Sequence, residues 1–202
     1  MPLIRLLRAL SDGIVRIERI LLMLLVFAVV SLVLLNVGFR LFEITLAWAD
    51  ELAVLAMAWS GFVGASLMLR ARIDPAVRLL HEAVGPLGVR ALRVSVSVLA
   101  SVFGIILIWL NWIWFNPPGL VAAGFDISTF EATTFNFIYS GKTPVLVWPV
   151  FWFYLVMPWF ALTLSVHALT NLAEDLGLIP QRNLARELDP SEDDVPLPET
   201  SR

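Results

Sequence analysis

Four long apolar runs, Ile20–Phe39, Glu51–Leu69, Val94–Phe115 and Val145–Leu169, decide which solvent this chain folds in. An α-helix rising about 1.5 Å per residue needs about 20 residues to cross about 30 Å of hydrocarbon, and each run approaches or exceeds that length. Together they take up nearly half of 202 residues, leaving no room for a sizeable soluble domain. The expected fold is an all-α integral membrane protein with four transmembrane helices and short interfacial helices in the connections. Its membrane domain covers 1–176, with spans at about 20–39, 47–69, 94–115 and 145–169. An acidic, proline-containing tail, 177–202, follows and is expected to be disordered, because it lacks the large apolar residues that offset ordering entropy.

Composition agrees: 59% of residues are apolar and 15% charged, where globular chains carry about 25% charge. The absence of cysteine excludes disulfides, thiolate catalysis and iron–sulfur ligation. The first apolar run is too long for the core of a cleavable signal peptide and reads as a retained anchor.

Positive charge fixes the expected orientation. Arg5, Arg8, Arg16 and Arg19 precede the first run, and Arg70, Arg72, Arg78, Arg90 and Arg93 occupy the second connection. Arg182, Arg186 and Arg202 follow the last run, leaving only Arg40 and Lys142 for the other side. The positive-inside rule therefore predicts both termini in the cytoplasm. Trp48, Trp109, Trp112, Trp114, Trp148 and Trp152 cluster near the opposite span ends, as half of an aromatic belt does.

The connections carry their own signals. Leu3, Ile4, Leu6, Leu7 and Leu10 interleave with Arg5 and Arg8 up to Gly13, which reads as a short amphipathic helix on the membrane surface or as a frayed basic terminus. Asp74-Pro75 starts, and Gly85-Pro86 stops, an expected interfacial helix. In the long connection 116–143, Asn116-Pro117-Pro118-Gly119 breaks the third span. Ser128-Thr129-Phe130-Glu131 is a capping-box pattern for a helix to about Tyr139. Phe130, Phe135, Phe137 and Ile138 are too apolar for a solvated loop and are expected against the membrane, the spans or a partner. Pro149 and Pro158 predict a bend in the last span.

The densest polar group lies where the first two spans meet: Arg40, Glu43, Asp50 and Glu51, with Trp48 among them. The acids suit the start of the second helix, where backbone N–H groups favour negative charge. Arg40 is expected to pair with Asp50 or Glu51. The other reading is an ion or substrate site, but interfacial depth favours the structural one. Ala49, Ala53, Ala56, Ser60 and Gly64 form a small-residue stripe suited to close helix approach, and Ser97, Ser101 and Gly104 begin another. A bulky residue at Gly64 is expected to disrupt packing, while Val63 is expected to face lipid.

Two histidines, His81 and His167, are not placed as a facing haem pair. With no glycine-rich phosphate loop and no acid–histidine metal pattern, nothing reads as catalytic. The expectations are no enzyme activity, no cofactor or metal bound by this chain, and no nucleic-acid partner.

The runs Asn36-Val37-Gly38-Phe39-Arg40, Trp48-Ala49-Asp50-Glu51-Leu52-Ala53 and Trp59-Ser60-Gly61-Phe62-Val63-Gly64-Ala65, with Arg70 beyond, resemble a known family. It is the small membrane subunit (DctQ family) of tripartite ATP-independent periplasmic (TRAP) transporters. Thr143-Pro144 before an aromatic-rich last span is similar too, and the resemblance covers about residues 15–175. The first acid of the W-x-E-E pattern is Asp50 here, Asp74 and Arg78 stand where the family has His and Asp, and connection 116–143 is longer. The resemblance implies a multi-pass subunit of the bacterial inner membrane with no transport site of its own. It would support a large membrane subunit that carries substrate and sodium, and help dock an extracytoplasmic binding protein. Imported substrates would be C4-dicarboxylates or related organic acids. Arg40, Trp48, Asp50, Glu51, Gly61, Gly64 and Arg70 are the candidate structural or interaction residues. The rival reading is an anchor or assembly subunit of another inner-membrane complex, such as a respiratory enzyme.

Overall fold

In the computed structural model, which describes residues 2–72, 86–182 and 184, the described chain is helical apart from turns and one isolated bridge between Lys142 and Pro149. The helices are α1 (Pro2–Arg40), α2 (Ala47–Ala71), α3 (Pro86–Phe115), α4 (Pro117–Ala122), α5 (Ile127–Thr134), α6 (Phe151–Tyr154) and α7 (Val156–Asp175). Four stretches are long and apolar enough to cross a membrane: Ile4–Arg40, Ala47–Ala71, Arg90–Ala122 and Phe151–Asp175. The expected interfacial helix at 74–84 and the end of the tail lie outside the described residues.

Two antiparallel pairs build the bundle, α1 with α2 and α3 with α7. They join chiefly through α2 against α7 and α1 against α7. One end of the bundle, the termini end, holds the start of α1 and the end of α7. The other, the hairpin end, holds the connections 41–46 and 116–150.

Three expectations are corrected. The helix does not break at Gly13: α1 runs unbroken for 39 residues, about 58 Å at the usual rise. One glycine costs a helix about 1 kcal/mol, and the burial of Ser11, Val15 and Glu18 on a single face opposes that cost. The fourth span begins and ends about six residues later than expected, at Phe151–Asp175. Its helix is interrupted at Leu155, because Pro158 has no N–H to offer the Tyr154 carbonyl. The structure also does not stop at Gly177. Arg8 donates to the Pro180 carbonyl at 3.3 Å, and Leu184 packs with Val15, Leu67 and Ala71.

The long connection is organised more tightly than its capping box implied. Asn116 adopts a left-handed conformation (φ 43°) and caps α4 by accepting from the Gly119 N–H. Asp126, not Ser128, caps α5, because its carboxylate reaches both the Ser128 and Thr129 N–H groups. Helix α5 then stops at Thr134, where Phe135 turns left-handed (φ 54°), short of Tyr139. Phe130 is fully buried and stacks edge-on against Tyr139, which in turn meets Phe151. The Tyr139 hydroxyl donates to the Phe115 carbonyl at 2.6 Å, and Asn136 donates to the Trp114 carbonyl at 2.7 Å. The connection thus folds back over the end of α3 and onto α6. Phe135 and Phe137 remain outside this packing, 82% and 61% exposed.

Candidate functional site

At the hairpin end, the expected Arg40 ion pair is absent among the described residues. Asn36 takes its place. Its amide donates to the Asp50 carboxylate, and its carbonyl accepts the Leu46 N–H at 3.2 Å. One short side chain thereby satisfies an acid and an early backbone donor of α2 together. Arg40 ends α1 exposed, where a cation suits the helix C-terminus and stays solvated. Glu51 accepts from the Val145 and Leu146 N–H groups at 3.2 and 2.7 Å, so it ties α2 to the turn before α6. Trp48 is partly exposed beside this group.

The small-residue stripes divide. Ala49 and Ala53 are buried in α2, but Gly61 has open space around its Cα. A Cβ on Gly64 would meet only the tip of Leu22, at 3.9 Å. Val63, expected to face lipid, is instead buried at 1% exposure. The tightest approach lies elsewhere. A Cβ on Gly104 would fall 3.1 Å from the Ser165 Cα, so α3 and α7 meet there at backbone distance.

The most developed polar constellation is at the termini end, and Arg70 is its centre. Its guanidinium is buried and forms two bonds to the Glu174 carboxylate, at 2.8 and 3.2 Å, and one to Asn171 Oδ1 at 2.7 Å. Such a bidentate pair is short, charge-assisted and directional. Asn171 returns to α2 by donating to the Leu69 carbonyl at 2.8 Å. Arg72, left-handed at the end of α2 (φ 57°), pairs with Asp175 at 2.7 Å. Asp175 also accepts from Ser97 of α3 at 2.6 Å. From α1, Asp12 stands 3.9 Å from Arg70 and pairs with Arg182 at 2.8 Å. All four spans therefore meet in one charged network.

One turn deeper, His167 of α7 lies between two residues of α1. Ser11 Oγ is 2.8 Å from Nδ1, and Glu18 is 3.2 Å from Nε2. All three are fully buried. The residue types resemble a hydrolytic triad, but a sealed serine has no route for a substrate, and the group instead fastens α1 to α7 through polar contacts. Ser66 of α2 adds a bond to Thr163 of α7 at 2.9 Å.

Sequence reading reached Arg70 but missed Ser11, Glu18, His167, Asn171, Glu174 and Asp175. Their signal was present: Asn171, Glu174 and Asp175 stand three and four residues apart at the end of an apolar helix, and so share a face. Charges on such a face demand partners.

Among the described residues, no group of three or more His, Asp or Glu side chains could hold a metal ion. What this fold and network define is a multi-pass helical membrane protein whose buried charges join its spans at the termini end. The model of the family described as "Tripartite ATP-independent periplasmic transporters, DctQ component" matches residues 29–178, and the chain belongs to that family. No curated protein and no solved structure matches it.

Proposed function

We propose that this chain is the small scaffold subunit of a sodium-coupled, binding-protein-dependent transporter that imports an organic acid, a C4-dicarboxylate or a related carboxylate. The family match over 29–178 carries the reading. The geometry supports it: the buried charges are paired between spans at the termini end, as in a rigid brace, while much of α1 is exposed along its apolar length. A large membrane subunit would move substrate and sodium, with this chain holding it in the inner membrane. The binding protein would dock at the hairpin end, where Leu41, Phe42, Phe125 and Phe135 are exposed. In this reading both termini are cytoplasmic.

Co-expression with the large subunit from the same gene neighbourhood tests the assignment. The two should purify together, and vesicles holding both should import a carboxylate only with sodium and binding protein. A large subunit that transports equally well without this chain overturns the scaffold role. Orientation is tested separately with single cysteines, which a cysteine-free chain makes simple. An impermeant thiol reagent should label Gly124→Cys, but not Leu178→Cys, on intact cells.

A further inference from the structure

An apolar groove of about 470 Å³ opens between α1, α2 and the turn leading into α6. Leu25, Leu55, Ala56 and Trp59 form its body, and Trp148 and Trp152 form its rim. The Trp59 indole N–H is already bonded to the Phe153 carbonyl at 3.0 Å, so that donor is not left unmet in the wall. The rim tryptophans are 54% and 60% exposed, as amphipathic rings are at a membrane–water boundary.

A cation is held beside that rim. The Thr143 N–H bonds to the Trp148 carbonyl at 2.8 Å, and the Val150 N–H bonds to the Gly141 carbonyl at 2.9 Å. These two bonds pin Lys142 against Pro149, where it is exposed and has no ion-pair partner among the described residues. Glu51, the acid that binds the same turn, is engaged by the Val145 and Leu146 N–H groups. Apolar slot, exposed indoles and unpaired cation thus adjoin one another through Pro149, as acyl chain, ester region and phosphate adjoin in a phospholipid.

We infer that this groove is a specific phospholipid site in the leaflet at the hairpin end, with one acyl chain between α2 and α6 and the phosphate on Lys142. Charge complementarity selects this occupant. A partner helix seated here would cover Lys142 without supplying the anion that a headgroup brings. The site stands independently of the transport role.

The test is photolabelling of the full-length chain, alone and with its large subunit. The vesicles would contain phosphatidylethanolamine and phosphatidylglycerol, doped with phosphatidylethanolamine carrying a diazirine in one acyl chain. Label should concentrate on 52–59 and 148–153. Ala56→Trp, which fills the groove, should abolish that concentration, whereas Val54→Trp on an exposed face should not. Lys142→Glu, an exposed substitution that leaves the packed helices intact, should lower groove labelling about fivefold, the effect of one cation at a membrane surface. Label spread evenly over exposed α1 residues such as Phe27 and Leu34 overturns the site, as does indifference to Lys142→Glu. Loss of groove labelling only when the large subunit is present assigns the groove to a protein partner and equally overturns the lipid.

Discussion

The two ends of the bundle solve the same problem with different chemistry. At the termini end, Arg70, Arg72, Glu174 and Asp175 join the spans through charge, and Arg70 and Glu174 are fully buried. At the hairpin end, Phe115, Phe130, Tyr139 and Phe151 pack ring against ring, and the polar contacts are backbone caps from Asn36, Glu51 and Asn116. Apolar attraction between helices is weak in lipid, so polar contacts and close packing must supply the specificity. A buried charge network is strongly directional and intolerant of a missing partner. An aromatic cap tolerates substitution but leaves its outermost rings exposed for other contacts. The difference teaches where rigidity lies: the four spans are pinned at one end, and the surface open to partners is at the other.

The contrast is broken most severely at Arg70. Arg70→Ala removes the bidentate partner of the buried Glu174, leaves it only the longer contact with Arg72 at 3.4 Å, and should cost about 3 kcal/mol. The loss would be read as lower thermal stability in detergent and failed assembly with the large subunit. Replacing both partners, Arg70→Met with Glu174→Met, should recover much of it, because no orphan charge remains. A single mutant as stable as the parent would mean the pair is solvated and the brace is elsewhere. The next effect is at the α3–α7 approach. Gly104→Ala places a methyl against the Ser165 backbone and should cost about 1–3 kcal/mol by overpacking. Gly61→Ala, with open space around it, should be neutral or slightly stabilising in the same melt.

How much of this was legible in the sequence follows from the range of each signal. The four spans were readable because about 20 apolar residues is a local quantity. Of the apolar residues in 130–138 expected to be covered, Phe130 and Ile138 are buried, whereas Phe135 and Phe137 are exposed. Pairing between distant residues was not readable. Arg40 and Asp50 were close in sequence and opposite in charge, yet Asn36 lies one turn earlier on α1 and offers both a donor and an acceptor. Arg70 and Glu174 are over a hundred residues apart, and only the antiparallel packing of α2 on α7 brings them together. The sequence missed the burial of Val63 for a related reason: periodicity shows that residues share a face, not which neighbour, if any, that face meets. Val63, a β-branched residue without any distinguishing pattern, turned out to be the buried one.

At the hairpin end the expected effects are smaller, and they sharpen the comparison. Glu51→Ala removes the acceptor for one exposed and one half-buried backbone N–H and should cost about 1 kcal/mol, the net contribution of such hydrogen bonds. Glu51→Gln keeps an acceptor oxygen and should recover part of the loss. The check is protection of the Val145 and Leu146 amides from hydrogen exchange, which should fall in Glu51→Ala with the termini-end amides unchanged. A drop in protection at Asn171 or Glu174 as well would show that the ends are coupled rather than separately built.

The smallest effect is a titration at Asp126. Its carboxylate is held below the ordinary 3.8, chiefly by the hydrogen bond from the Thr129 side chain, then by the Thr129 and Ser128 backbone N–H groups. The sign follows from linkage. A group whose folded pKa is depressed contributes stability above its unfolded value, and that contribution is lost as pH falls through the folded pKa. Helix α5 should therefore keep its cap at neutral pH and fray at its first turn only on strong acidification. Because Asp126 is fully exposed, the response should stay local. Amide chemical shifts of Ser128 and Thr129 should titrate together with a midpoint below 3.8, and Asp126→Asn should flatten both curves. A midpoint at or above 3.8 would mean the cap is not formed in solution.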